Sequence, residues 1–306
     1  MMLKQSRRGF LKIGSAALAG SGLLRAGYLY AQTLKLPLGL QLYSVRTLLP
    51  SDYDGTLKRV ESLGYREVEA AGYYSHSADE VREAMRDANL KLVSAHYSSD
   101  DLHKQLDQII SFNKELDVRY LICSFPGFKD PARVQGLRAR ERVNAFTLDD
   151  WRWNAEQFNL IGAKVRSAGM KFGYHNHTME FHEMDGVVPY VELMRLTDPA
   201  VVTMEMDCGW VIVGGGNPVE LLQRYPTRIT MLHLKDFKQT SGFTSIGNPP
   251  VATELGQGVI DYRPILRQAA IAGHIRHCFV EQEQFDMPPF QSLKIDAEYV
   301  NKLESA

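Results

Sequence analysis

The chain has 306 residues, 44% hydrophobic and 23% charged, with a formal net charge of −1. That is ordinary globular composition, and the length admits either two domains or one α/β barrel of about 250 residues. The near-neutral total hides an asymmetry: residues 1–31 hold Lys4, Arg7, Arg8, Lys12 and Arg25 and no acid, so they carry +5 and the rest of the chain −6. A mildly acidic body lacks the basic footprint of a nucleic-acid binder. Three cysteines, Cys123, Cys208 and Cys278, are an odd number and no disulfide framework. All three fall in predicted strands and read as small buried hydrophobes.

The first element in chain order reads as an address. Ser6-Arg-Arg-Gly-Phe-Leu-Lys12 precedes an apolar run from Ile13 to Leu24. A basic region before a short apolar stretch is a secretory signal, too short for a confident membrane span. The paired arginines with Phe10-Leu11-Lys12 resemble the twin-arginine export signal. That resemblance implies the twin-arginine machinery as a partner and a periplasmic or exported protein. An amphipathic helix is the bland alternative, but the Gly/Ala/Ser-rich run makes a poor one. Ala31 suits the residue before a cut, whereas Leu29 stands where a small residue is preferred. A cleaved leader and an uncleaved anchor both stay open.

After residue 35, short apolar runs alternate with amphipathic helical stretches. Strands are expected at about 39–45, 66–71, 92–97, 119–125, 171–177, 202–207, 229–235 and 277–283. Ser77-Ala-Asp-Glu80 is a capping box that opens one helix, and Thr147-Leu-Asp-Asp150 starts another running to Ala168. Gly64, Gly169 and Gly273 stand where helices should stop. Eight strand–helix units in one chain predict a parallel sheet closed as a single-domain (β/α)8 TIM barrel over residues 36–306. An open doubly wound sheet is the runner-up, but the first strand runs into Tyr43-Ser44-Val45-Arg46 without a glycine fingerprint. The long connections 126–146 and 237–260 follow strands four and seven, on the face where barrel loops carry function.

Barrel strands are buried on both faces and should be apolar, so their polar residues are informative. Period-two alternation puts Thr203, Glu205 and Asp207 on one face of strand six and Met231, His233 and Lys235 on one face of strand seven. Strand eight alternates Phe279, Glu281 and Glu283, and strand five Gly173, His175 and His177. Strands one to three add Gln41, Tyr43, Glu69 and His96. One such residue is more often a hydrogen-bonded core group than a ligand. Four neighbouring strands ending in His, Asp or Glu converge on one mouth, where several carboxylates repel unless a cation or proton compensates. One divalent metal ion is the simplest compensation. Mixed carboxylate and imidazole donors admit Mn, Co, Zn, Fe or Mg.

Gly39-Leu-Gln-Leu-Tyr-Ser-Val-Arg46, Tyr174-His-Asn-His177, Met206-Asp-Cys-Gly-Trp210, Leu232-His-Leu-Lys-Asp236 and Val280-Glu281 together carry a resemblance. The chain resembles the xylose isomerase-like barrel family of sugar isomerases, epimerases and inosose dehydratases, over nearly everything after residue 35. The resemblance implies one divalent metal held by Glu, Asp, His and Glu at the ends of strands five to eight. Asp207, His233 and Glu281 match the last three by position. Strand five departs from the pattern, with His175 where the Glu is expected; His175 is taken as the fourth ligand, with Glu180 as its substitute.

His177, one step nearer the mouth, is read either as an acid or base facing substrate or as a residue orienting a ligand. Glu281, His177 and Glu69 are candidate bases. Lys235 is read as polarising an oxygen or neutralising an alkoxide, against a surface lysine. Gln41, Tyr43, His96 and Trp210 are expected to bind substrate, Trp210 by stacking on a sugar ring unless it is a core aromatic. Asp236 faces away from His233, is read as pairing with a neighbouring helix or an arginine, and is not a ligand. The glycines of Glu254-Leu-Gly-Gln-Gly258 imply a tight turn.

A metal in such a site acts as a Lewis acid while a base removes the proton α to a carbonyl. Reprotonation gives isomerisation or epimerisation of a keto-sugar. Loss of a β-substituent gives a lyase or dehydratase acting on a 3-keto-glycoside or inosose. Export favours unphosphorylated carbohydrates and suits a protein loaded with metal before it leaves. A DNA endonuclease would need a basic groove, and a non-catalytic carbohydrate-binding barrel predicts binding without turnover. The resemblance permits a homo-oligomer.

Overall fold

The computed structural model describes residues 34–239 and 250–305. The export signal expected at 1–31 lies outside the described residues. Among these described residues ten strands follow in chain order. β1 (Leu38–Gln41), β2 (Glu67–Ala70), β3 (Lys91–Ser98), β4 (Tyr120–Phe125), β5 (Lys171–His175), β6 (Val202–Asp207) and β7 (Ile229–Leu234) belong to the barrel. β8 (Asp236–Phe237) pairs antiparallel with β9 (Ala252–Thr253), and β10 (His277–Val280) completes the barrel between β7 and β1. All eight barrel pairings are parallel. The chain is therefore a (β/α)8 TIM barrel, as alternation predicted.

Local chemistry sets the helix ends. Ser77 Oγ accepts from Glu80 N while the Glu80 carboxylate accepts from Ser77 N at 2.7 Å, and Thr147 and Asp150 do the same for the helix Leu148–Ser167. Gly64, Gly169 and Gly273 take positive φ of 102°, 88° and 70° where their helices stop, a conformation that penalises a Cβ. Inside the barrel, Val93, Tyr120, Ile122, Met231 and Phe279 form an apolar layer. Gly39 and Gly173 make room for it: a Cβ on Gly39 would lie 2.5 Å from the Phe279 ring, and one on Gly173 2.7 Å from Ile122 Cδ1. The larger core packs the outer face of the strands against the helices.

Three strand ends differ from the sequence expectation. β1 stops at Gln41 and Leu42–Val45 forms a 3-10 turn, because Gln41 Oε1 accepts the Tyr43 N–H. β5 ends at His175 and β10 at Val280, so His177, Glu281 and Glu283 stand on loops. Cys208 opens the short helix Cys208–Val213 instead of lying in a strand; all three cysteines are buried.

Candidate active site

Parallel register gathers the polar residues. Gln41 lies beside Glu69, His175 beside Glu205, and Asp207 beside His233, so each pair points into the barrel from adjacent strands. These inward side chains sit above the apolar layer, at the carboxyl ends of the strands where barrel active sites form. One ligand atom each from His175, Asp207, His233 and Glu281 falls within 4.8 Å of the others, and the same is true of a second, overlapping set, His96, His175, Glu205 and His233. The expected substitute Glu180 is in neither. Its Oε1 accepts from the Tyr174 hydroxyl and from His177 N at 2.9 Å, and Tyr174 stacks on Phe158 of the outer helix. That carboxyl therefore faces the helical layer, where burial pushes its pKa up to about 7.

A cleft of about 590 Å3 opens above the cluster, within the range of small-molecule sites. His96, His175, His177, Glu281 and Tyr43 line it, with Glu283. Gln41, Glu69 and Trp210 do not. Gln41 and Glu69 are fully buried; Gln41 Nε2 donates to Glu69 Oε1 at 2.7 Å, and the same oxygen lies 2.9 Å from His233 Nε2. Glu69 is thus an acceptor beneath the site instead of a base in the cleft. Trp210 is 2% exposed, with Lys235 Nζ 4.6 Å from its ring centroid and Phe237 against it, so it has no face for a sugar.

Lys235 is no surface lysine. It is 1% exposed, with Nζ 3.3 Å from Asp207 Oδ2, 3.0 Å from Glu281 Oε2, and paired with Glu283. Burial works against its charge, but these three carboxylates hold its pKa above the usual lysine value. It does not line the cleft. Asp236 pairs with backbone, neither with a helix nor with an arginine: its carboxylate accepts from the N–H groups of Phe237, Gly256, Gly258 and Ile260 at 2.8–3.2 Å. This clamps the predicted tight turn, where Gly256 has φ of 77°.

Electrostatics divide the histidines. Burial would lower His96, but Glu69 and Glu205 raise it to about 10. His233 is likewise raised against its burial, by Glu205, Glu281 and Glu69. Burial drives His175 well below the usual imidazole value. His177 falls to about 3 through burial and then Lys235, and its buried Nδ1 has no hydrogen-bond partner. Burial raises Asp207 to about 6 although Lys235 opposes it.

The residues fit a divalent ion. Glu69 Oε2, Glu205 Oε1 and Asp207 Oδ2 are buried without a hydrogen bond, although the last lies near Lys235. Such orphaned acceptors are costly, and carboxylate plus imidazole is a donor set for several divalent metals. Glu205 and Glu283 were not among the residues picked as site residues from the sequence. Alternation had placed both on inward faces, and that was the signal available.

The family model described as the xylose isomerase-like TIM barrel matches residues 57–303. The chain belongs to this family. Within the xylose isomerase-like barrels it is 25% identical over 272 residues to the inosose dehydratase of Geobacillus kaustophilus, covering 82% of this chain and 87% of that one. A sugar phosphate isomerase/epimerase structure from Parabacteroides distasonis is 26% identical with a TM-score of 0.70, covering 86% of this chain and 97% of that one. The same fold recurs, at 14% identity and a TM-score of 0.67, in an IOLI protein solved with a zinc atom, over 88% of this chain and 98% of that one. The chain is thus an enzyme of the isomerase/epimerase or inosose dehydratase kind by family, with a metal-capable cluster of His, Asp and Glu.

Proposed function

We infer that this protein is a divalent-metal-dependent isomerase or epimerase of a keto-sugar or related carbohydrate, working by removal of the proton α to a carbonyl. The observation that carries the reading is the clustering of His175, Asp207, His233 and Glu281 at the floor of the cleft, with His177 in its wall. His175 Nε2, Asp207, His233 and Glu281 would hold the metal. When bound, the ion supplies Lewis-acid polarisation of adjacent carbonyl and hydroxyl oxygens.

The remaining work falls to the chain's own groups. His177 borders the cleft, so it is the group placed to accept the α-proton and return it. Lys235 neutralises Asp207, Glu281 and Glu283 from behind. Tyr43 and His96 bound the substrate space. A second reading, β-elimination from a 3-keto-glycoside or inosose, draws on the similarity to inosose dehydratase. It needs the same first proton transfer. The reading includes export, because residues 1–31 carry the paired-arginine pattern and unphosphorylated sugars are the carbohydrates met outside the cell.

The test is a panel of keto-sugars and 3-keto-glycosides incubated in D2O with metal-loaded protein. Deuterium at the α-carbon with a new stereoisomer or aldose supports the first reading. Release of an aglycone or water supports the second. His177→Asn should slow exchange by about 10²–10⁴-fold. No exchange in any ketone, after loading with Mn, Co, Zn, Mg or Fe(II), would sink both.

A further inference from the structure

β3 runs past the metal-capable cluster. His96 Nε2 lies 2.8 Å from Glu69 Oε1 and 2.7 Å from Glu205 Oε2, while Ser98, two residues on, ends the strand and caps the helix Ser99–Glu115. Ser98 Oγ accepts from Asp101 N at 3.1 Å and donates to Asp101 Oδ2 at 2.6 Å. Ser98 and Asp101 line the cleft, and so does Gln105, one helical turn beyond Asp101. Among the described residues nothing hydrogen-bonds to Asp101 Oδ1 or to the Gln105 carboxamide, and no lysine or arginine pairs with Asp101. Both side chains are therefore open to whatever fills the cleft.

The usual holders of a phosphate group are filled or replaced by carboxylates here. Among the described residues no lysine or arginine lines the cleft, and residues 240–249, outside them, contain neither. Lys235 is taken by Asp207, Glu281 and Glu283. Arg46 lies over the Tyr43 ring and donates to the carbonyl oxygens of Tyr43 and Glu283. TIM barrels often hold phosphate with the loops after their last two strands; here the loop after β10 brings Glu281 and Glu283 to the cleft. A helix N-terminus is another common phosphate cradle. The first turn of the helix Ser99–Glu115 instead carries Asp100 and Asp101, and Asp101 N is already bonded. We propose that Asp101 sets the specificity of the cleft: with Gln105 it takes hydroxyl groups at the far end of an uncharged polyhydroxy ketone, and its unpaired charge repels a phosphate ester there. Placing like charge against like rejects a competitor that would otherwise fit. The proposal rests on the ketone chemistry above and owes nothing to the leader.

The experiment uses the full chain loaded with Mn2+ or Zn2+ and ketones in matched pairs, free and 6-phosphorylated: 2-ketohexoses and methyl 3-keto-glucosides. Deuterium uptake from D2O at the α-carbon gives kcat and KM for each. Wild type is expected to favour the free sugar by ~100-fold or more in kcat/KM, with the gap narrowing as salt is raised. Asp101→Asn should raise KM for the free sugar by ~10-fold with a smaller change in kcat, lower KM for the phosphate ester, and remove the salt dependence. A purely structural role for Asp101 would leave the ratio of free to phosphorylated substrate where it was. A wild type that turns over a 6-phosphate as well as its free partner overturns the proposal and leaves the ketone reading standing. An unchanged ratio in an Asp101→Asn protein with a wild-type melting curve overturns it too. Exchange in none of the pairs overturns the ketone reading and this proposal with it. The wild-type ratio needs no variant, so it decides even if Asp101→Asn fails to fold.

Discussion

Lys235 Nζ lies 3.3 Å from Asp207 Oδ2 in a wall where neither residue is more than 1% exposed. The ammonium also meets Glu281 and Glu283, so one buried cation compensates three carboxylates in the metal-free protein. Breaking such a pair on one side leaves uncompensated buried charge, at a cost of about 3–5 kcal/mol. Lys235→Met should therefore melt well below wild type without metal and regain more stability than wild type when Mn2+ or Zn2+ is added. Thermal melts with and without metal read this out. A metal-free variant melting within a degree of wild type would show that Lys235 carries no such load.

Asp236 makes a second buried charge network, this time with backbone. Three of its four N–H donors, Gly256, Gly258 and Ile260, belong to the segment that returns from β9 toward the helix Tyr262–Ala272, and the fourth is its neighbour Phe237 in β8. Each buried donor left unpaired costs about 1–3 kcal/mol. Asp236→Ala should lower the melting temperature by about 5 °C or more, at roughly 2–4 °C per kcal/mol for a domain of this size. It should leave metal stoichiometry unchanged, because Asp236 is not a ligand. Loss of metal with an unaltered melt would reverse that assignment.

Asp296 predicts a pH dependence. It is 1% exposed, one oxygen accepts from Leu255 N at 2.6 Å, and the other has no partner. Burial raises its pKa to about 8, with Glu254 and Asp236 adding to the rise. The folded state therefore binds a proton that the unfolded chain, with a carboxyl near 3.9, releases. Between roughly pH 4 and 8 this contribution to stability falls as the pH rises, because the folded state holds more protons. Asp296→Asn, which mimics the neutral acid, should flatten the slope of melting temperature between pH 6 and 8.5. An unchanged slope would remove Asp296 as its source.

The amino-terminal pattern makes a cellular prediction. Replacing Arg7 and Arg8 together with lysine should trap the protein in the cytoplasm with its metal content unaltered, seen by fractionation of a host with an intact twin-arginine pathway. Unchanged export of the double variant would assign the leader to another route.

The barrel was legible because its signal is redundant: eight apolar runs, two capping boxes and three stop glycines each point to the same alternation. The inward faces were legible for the same reason, since a strand side chain has only two directions. Depth along the strand was not. Alternation sets Glu205 and Asp207 on one face but does not say that both lie out of the cleft, Glu205 among three histidines and Asp207 beside Lys235. Strand ends were also hidden, because a side chain decides them: Gln41 accepting from Tyr43 N turns four expected strand residues into a 3-10 turn. The directions of Trp210 and Glu180 stayed open in the sequence because a residue just beyond a strand can turn either way. Tyr174 and the His177 N–H draw Glu180 outward, and Lys235 covers Trp210.

The proposed chemistry depends on one divalent metal held by the cluster at the barrel mouth. Elemental analysis of protein purified without chelator, comparing wild type with Asp207→Ala and His233→Ala, tests it most directly. About one ion per wild-type chain is expected, lost in both variants while circular dichroism shows their barrels folded. A wild type that stays empty after incubation with Mn, Co, Zn, Mg or Fe(II) would contradict it and leave a carbohydrate-binding barrel as the better reading.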